Sequence, residues 1–191
     1  MGAHPADGVV DALSELNPNC RTGLLERAEL YKQQLTALDG WIRSSVASIP
    51  ERQRILVTAH DAFNYYSRAY GIEVASIQGI STQAEAGLAD IRETVSLVAD
   101  RGVPAIFVES SINPRTIQAV LQAVRSRGAI VNIGGELFSD AFGNTGTAEG
   151  TYIGMLYHNT LTITEALGGT PSALPRALQP WSEQWNLAGT Q

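Results

Sequence analysis

After Pro50 the residue pattern changes period, and that change limits the possible folds more than any other feature of the chain. Four short β-rich runs, residues 54–58 (RILVT), 73–77, 105–108 and 129–133, are each separated by a stretch long enough for a single helix. Consecutive strands joined by one helix run parallel, because a parallel pair needs a crossover that a tight turn cannot supply. The expected class is α/β: a mostly parallel four-stranded sheet with helices on both faces. Helix signals support the alternation. Thr82, Gln83, Ala84 and Glu85 form a capping-box pattern opening a helix to about Asp100. Asn113 before Pro114 opens a helix that runs to about Arg127 and stops at Gly128, and Gly150-Thr151 opens a last one stopped by Gly168-Gly169.

Ahead of Pro50 the period is helical. Leu24, Leu25, Ala28, Tyr31, Leu35, Leu38, Ile42 and Val46 recur at three- and four-residue spacing, so residues 24–49 read as one long amphipathic helix ending before the proline. A shorter helix over residues 9–16 breaks at Asn17-Pro18. The tail, residues 169–191, carries three prolines and two tryptophans without periodicity. It reads as a docked arm anchored by Trp181 and Trp185, or as a loose end. The expected organisation is a helical segment (1–49), an α/β lobe (50–168) and an irregular tail (169–191).

Composition removes several function classes. A net charge of −6 with no basic stripe argues against a nucleic-acid partner. One cysteine, Cys20, excludes an internal disulfide framework and any cysteine-rich metal site. No apolar run approaches the roughly 18–20 residues of a membrane span. Residues 1–13 lack the charged and apolar regions of a secretory signal.

In an open parallel sheet, ligands bind beyond the carboxyl ends of the strands. Those ends read Ala59-His60-Asp61, then Gln78-Gly79-Ile80-Ser81, then Glu109-Ser110-Ser111, and after the fourth Gly134-Gly135-Glu136-Leu137-Phe138-Ser139-Asp140. One imidazole and several carboxylates therefore converge on one edge. That donor set suits zinc, manganese or iron better than copper(I) or calcium. Each residue has a plainer role as well. His60 can cap or hydrogen-bond, and Asp140 stands where a helix cap or turn residue is expected. Glu109 can be a ligand or a brace for one, and Asp61 suits the start of a helix. His158 lies inside the last helix and His4 near the start of the chain. A GxSxG elbow, a Walker loop and a GxGxxG after a strand are all lacking, and Gly134-Gly135 is a nonspecific phosphate signal. A hydrolase built on His60 and Glu109 ranks last, and no enzyme is expected.

The segments LVTAHDAFNYYSRAYGIEV, IQGISTQAEAG, IFVESSINPRTIQAV and IGGELFSDAFGNTGTAEGTYIGMLYHN, in this order, closely resemble the C-terminal half of the TroA-like family of zinc/manganese solute-binding proteins. The resemblance runs over residues 11–168. It implies two α/β lobes joined by a long rigid helix, here residues 24–49. The metal lies between the lobes and is held by two ligands from each. It maps the C-lobe ligands onto His60 and Asp140, with Glu109 as a neighbour of the site. It also implies a divalent ion (zinc or manganese, with iron possible), a periplasmic location and an ABC-transporter permease as partner. The N-terminal lobe with its two histidine ligands is not in this sequence, so the expectation is a truncated form carrying half of the site. The missing lobe or a second copy would complete it. The alternative is a metal-free, adhesin-like interaction module or a homodimer using the uncovered inter-lobe face.

Overall fold

A computed structural model describes residues 3–80, 87–111 and 115–187. The chain divides into two compact units, one of residues 1–41 with 173–191 and one of residues 42–172.

The first unit is helical. Helix α1 (Ala3–Leu16) ends at a 3-10 turn over Pro18–Cys20, and α2 (Arg21–Ala47) follows it directly. Pro18 suits the first position of that turn because the missing N–H would have had no partner there. Leu35, Leu38 and Trp41 of α2 are buried, and so is Val10 of α1. The tail belongs to this unit. A turn over Arg176–Leu178 runs into a short helix, α7 (Gln179–Gln184). Leu178 and Trp181 are buried, while Trp185 stays half-buried. The arm is therefore docked through Leu178 and Trp181.

The second unit begins with the last turns of α2 and carries the α/β pattern. Strand β1 (Ile55–Thr58) is buried along its whole length and pairs in parallel with β2 (Glu73–Ser76). Strand β3 (Ala105–Glu109) pairs in parallel with β4 (Asn132–Leu137). The strands thus form two parallel pairs. The pairs adjoin through β1 and β3, whose Cα atoms come within 8 Å, but the ladders do not join them into the single four-stranded sheet expected from the sequence. A continuous apolar run such as Ile55-Leu56-Val57 is what a strand buried on both faces requires. Each such side chain contributes roughly 1.5–3 kcal/mol by leaving water.

Helix α3 (Asn64–Tyr70) connects β1 to β2, α4 (Leu88–Arg101) leads to β3, and α5 (Arg115–Ser126) connects β3 to β4. Helix α6 (Tyr152–Ala166) follows β4 after a long irregular segment and packs against it. The capping-box residues 82–85 and the Asn113-Pro114 start lie outside the described residues. Within them, the Asp90 carboxylate accepts from the Gly87 N–H at 3.1 Å, a cap at the head of α4. Gly102 and Gly128 take the left-handed conformation just past α4 and α5.

Two further sequence expectations need correction. The fourth strand lies at residues 132–137, about three residues later than expected, so Gly134-Gly135 falls inside it rather than after it. A Cβ at Gly134 would stand 2.6 Å from Phe107 Cε1, which makes the glycine a packing requirement. At Gly135 the backbone has φ 144°, beside a register shift where Ile106 pairs with Ile133 and Phe107 with Gly135. This is a bulge, which a glycine accommodates without strain. Asp61 does not open a helix either. It sits in a bend, and α3 starts only at Asn64.

Candidate metal site

His60 stands two residues past the end of β1 and is 2% exposed. Its backbone is fixed first. The buried Thr58 hydroxyl donates to the His60 carbonyl at 3.0 Å, and the His60 N–H donates to Glu109 Oε1 at 3.0 Å. The other oxygen of the same carboxylate, Oε2, meets His60 Nδ1 at 2.7 Å. That approach is short but off the ideal hydrogen-bond direction, and neither atom has a better-aligned partner. Glu109 closes β3, and its side chain is fully buried. A carboxylate there is tolerable only where donors meet it. The well-aligned donor is the His60 N–H, so Glu109 ties the end of β3 to the segment just past β1 where no ladder bond does so.

Asp140 approaches from the other side. It lies in a bend three residues past β4, and its carboxylate Oδ2 stands 3.1 Å from His60 Nε2. Its side chain is 56% exposed, against 3% for His60. The structure therefore brings together His60, Asp140 and Glu109, which lie apart along the chain, with the imidazole between two carboxylates. A carboxylate at Nδ1 orients the ring and directs Nε2 outward, the usual arrangement behind a metal-ligating histidine.

The geometry is compatible with a shared ion. Two donors each about 2.0–2.2 Å from one tetrahedral or octahedral ion stand roughly 3–3.4 Å from each other. The 3.1 Å separation falls within that range. Among the described residues, however, no group of three or more His, Cys, Asp and Glu side chains is placed to hold a metal ion. Glu109 faces Nδ1, away from the open side of the pair, so the free donors are two.

The other histidines are not at this site. His158 lies in α6, where its Nε2 donates to the Glu136 carbonyl at 3.0 Å and its ring lies 5.0 Å from that of Phe138. His4 falls in α1, and its side chain is outside the described residues. Reading the strand ends missed one residue that helps build the site. Asn159, buried in α6, accepts from the Phe138 N–H at 3.0 Å and donates to the Phe138 carbonyl at 2.7 Å, two residues before Asp140. The available signal was an amide in a helix that also buries Thr160 and Thr164.

The family model described as ZnuA, zinc-uptake complex component A, periplasmic, matches residues 2–166. The chain belongs to the ZnuA family. Among its relatives, the zinc-binding protein TroA of Treponema pallidum is 48% identical over 167 residues, covering 87% of this chain and 54% of that protein. The manganese-binding lipoprotein MntA of Bacillus subtilis is 44% identical over 164 residues, covering 86% and 54%. The solved structure of periplasmic zinc-binding protein TroA from Treponema pallidum superposes with a TM-score of 0.79 at 49% identity, over 84% of this chain and 58% of that one. Fe(III)-bound YtgA from Chlamydia trachomatis gives 0.76 at 26% identity, over 86% and 59%. The chain thus spans about half the length of the curated ZnuA-family relatives it matches. These relatives are named as binders of zinc, manganese or iron, and as periplasmic proteins or lipoproteins. No helix among the described residues is long and apolar enough to cross a membrane.

Proposed function

We propose that this chain supplies half of a metal-capture site in a solute-binding protein of an ABC uptake transporter, with His60 Nε2 and Asp140 as its ligands. The supporting observation is the meeting of these two side chains at 3.1 Å, 80 residues apart in sequence, in a chain of the ZnuA family. Glu109 is the brace behind the imidazole. Residues 50–168 form the metal-binding lobe in this reading, and α2 is the connecting helix.

The cargo is a divalent ion, zinc or manganese, with iron also compatible with an imidazole–carboxylate pair. Capture involves no bond-making in the ion. With Glu109 facing Nδ1, the outward nitrogen Nε2 is the one that meets Asp140, and a cation placed between them would take a lone pair from each. Two protein donors leave zinc two positions short of its usual four. The remainder of a longer polypeptide, or a second copy of this chain, would provide the others. Tyr65, Ile80 and Phe142, on segments following β1, β2 and β4, are large apolar side chains left exposed. A periplasmic location and a membrane permease that receives the ion complete the reading.

The test is calorimetric titration of zinc and of manganese into the chain and into its His60→Ala and Asp140→Ala variants. Loss of binding in both variants is expected. Unchanged affinity for both ions in both variants refutes the ligand assignment.

A further inference from the structure

His60 and Asp140 are held in place by different means. His60 is gripped directly by a buried carboxylate, but Asp140 is exposed and follows β4 on an irregular segment. Helix α6 holds both the end of β4 and the start of that segment. His158 donates to the Glu136 carbonyl at 3.0 Å, and Asn159 closes a two-point clamp on Phe138, accepting from its N–H at 3.0 Å and donating to its carbonyl at 2.7 Å. Asn159 is 2% exposed. A buried amide with both ends engaged fixes the Phe138 main chain, gripping the N–H of the peptide unit before it and the carbonyl of the unit after it, because donor and acceptor must both align. The chain leaves that clamped residue, passes Ser139, whose hydroxyl meets that of Ser111 at 3.2 Å, and reaches Asp140.

We propose that Asn159 is a positioning residue for the metal site, setting through the main chain of Phe138 where the Asp140 carboxylate stands opposite His60 Nε2. The inference rests on the metal-site reading above and adds to it a residue that contacts neither the ion nor Asp140. Truncation of an outer partner of this kind lowers metal affinity by roughly 10–100-fold. Asn159→Leu removes both bonds at similar size. Asn159→Asp keeps an acceptor for the Phe138 N–H but sets an oxygen against the Phe138 carbonyl.

The experiment titrates zinc into the chain and its variants by calorimetry and, without metal, records the His60 ring carbon–proton signal by NMR at fixed pH. Asn159→Leu is expected to weaken zinc binding about 10–100-fold, and Asn159→Asp by less. Tyr66→Phe removes one buried hydrogen bond to the neighbouring Thr160 without touching Phe138, and should leave affinity within about twofold, well below that loss. In an Asp140→Ala background without metal, Asn159→Leu should move the His60 signal no further, since it acts through that carboxylate. Without metal, Asn159→Leu should move the His60 signal in the direction that Asp140→Ala moves it. A loss shared equally by Tyr66→Phe, a metal-free His60 shift that adds fully to that of Asp140→Ala, or an unmoved His60 signal overturns the proposal. If His60→Ala binds zinc as well as the wild type, the metal-site reading fails instead, and the metal-free NMR comparison alone decides whether Asn159 positions Asp140.

Discussion

The two sides of the candidate site are built in opposite ways. On the β1 side, His60 is buried and three contacts fix it: Thr58 to its carbonyl, and both Glu109 oxygens to its N–H and its ring. On the β4 side, Asp140 is more than half exposed, in a bend anchored two residues upstream by Asn159. The contrast shows how stability and function separate within one site. The imidazole side belongs to the core and contributes to the fold, whereas the carboxylate side can move or be substituted at little structural cost. In the proposed site, one fixed and one exposed donor suit an ion that must be taken up and later released.

Glu109→Ala attacks the fixed side and carries the largest expected effect. It leaves the buried His60 N–H without its acceptor, which costs about 1–3 kcal/mol. Asp140→Ala attacks the exposed side and should change stability by no more than about 0.5 kcal/mol. Denaturant unfolding of the two metal-free variants measures both. Similar losses would erase the distinction between the two sides.

A smaller effect sharpens it. Tyr66 of α3, on the His60 side, bonds through its hydroxyl to Thr160 of α6, next to Asn159, at 2.9 Å. Tyr66→Phe should cost about 1 kcal/mol. Burial raises the Tyr66 phenol well above its ordinary value, the Thr160 hydrogen bond opposing this in part. The folded chain therefore keeps a proton that the unfolded chain releases above about pH 10. That contribution is fully present below this pH and is lost above it, by up to about 1.4 kcal/mol per pH unit. Tyr157 is raised as well, by burial and then by Glu165. Tyr66→Phe should thus reduce the alkaline decline seen in thermal melts without abolishing it.

What could be read from sequence depended on how local the cause was. Helix α2 and strands β1 and β3 were legible because their apolar periods are uninterrupted and Pro50 marks the change between them. The start of β4 was misplaced because two adjacent glycines signal a turn in one dimension. In the fold they answer to Phe107 and to a bulge opposite it. Parallel-strand logic placed His60, Glu109 and Asp140 on one edge along with Asp61 and Glu136, and the family resemblance singled out the first three. The one-turn helix α7 was too short to show a period, and only its tryptophans hinted at docking. Asn159 stayed hidden for a different reason. Its role is set by the Phe138 main chain 21 residues away, and nothing in its own neighbourhood encodes that partner.

The central claim, one ion shared by His60 and Asp140, is tested most directly by anomalous diffraction at the zinc edge from zinc-soaked crystals of the chain. The account predicts a single peak about 2.0–2.2 Å from both His60 Nε2 and an Asp140 carboxylate oxygen, with Glu109 still on Nδ1. A zinc bound elsewhere while these two side chains remain in direct contact would contradict it.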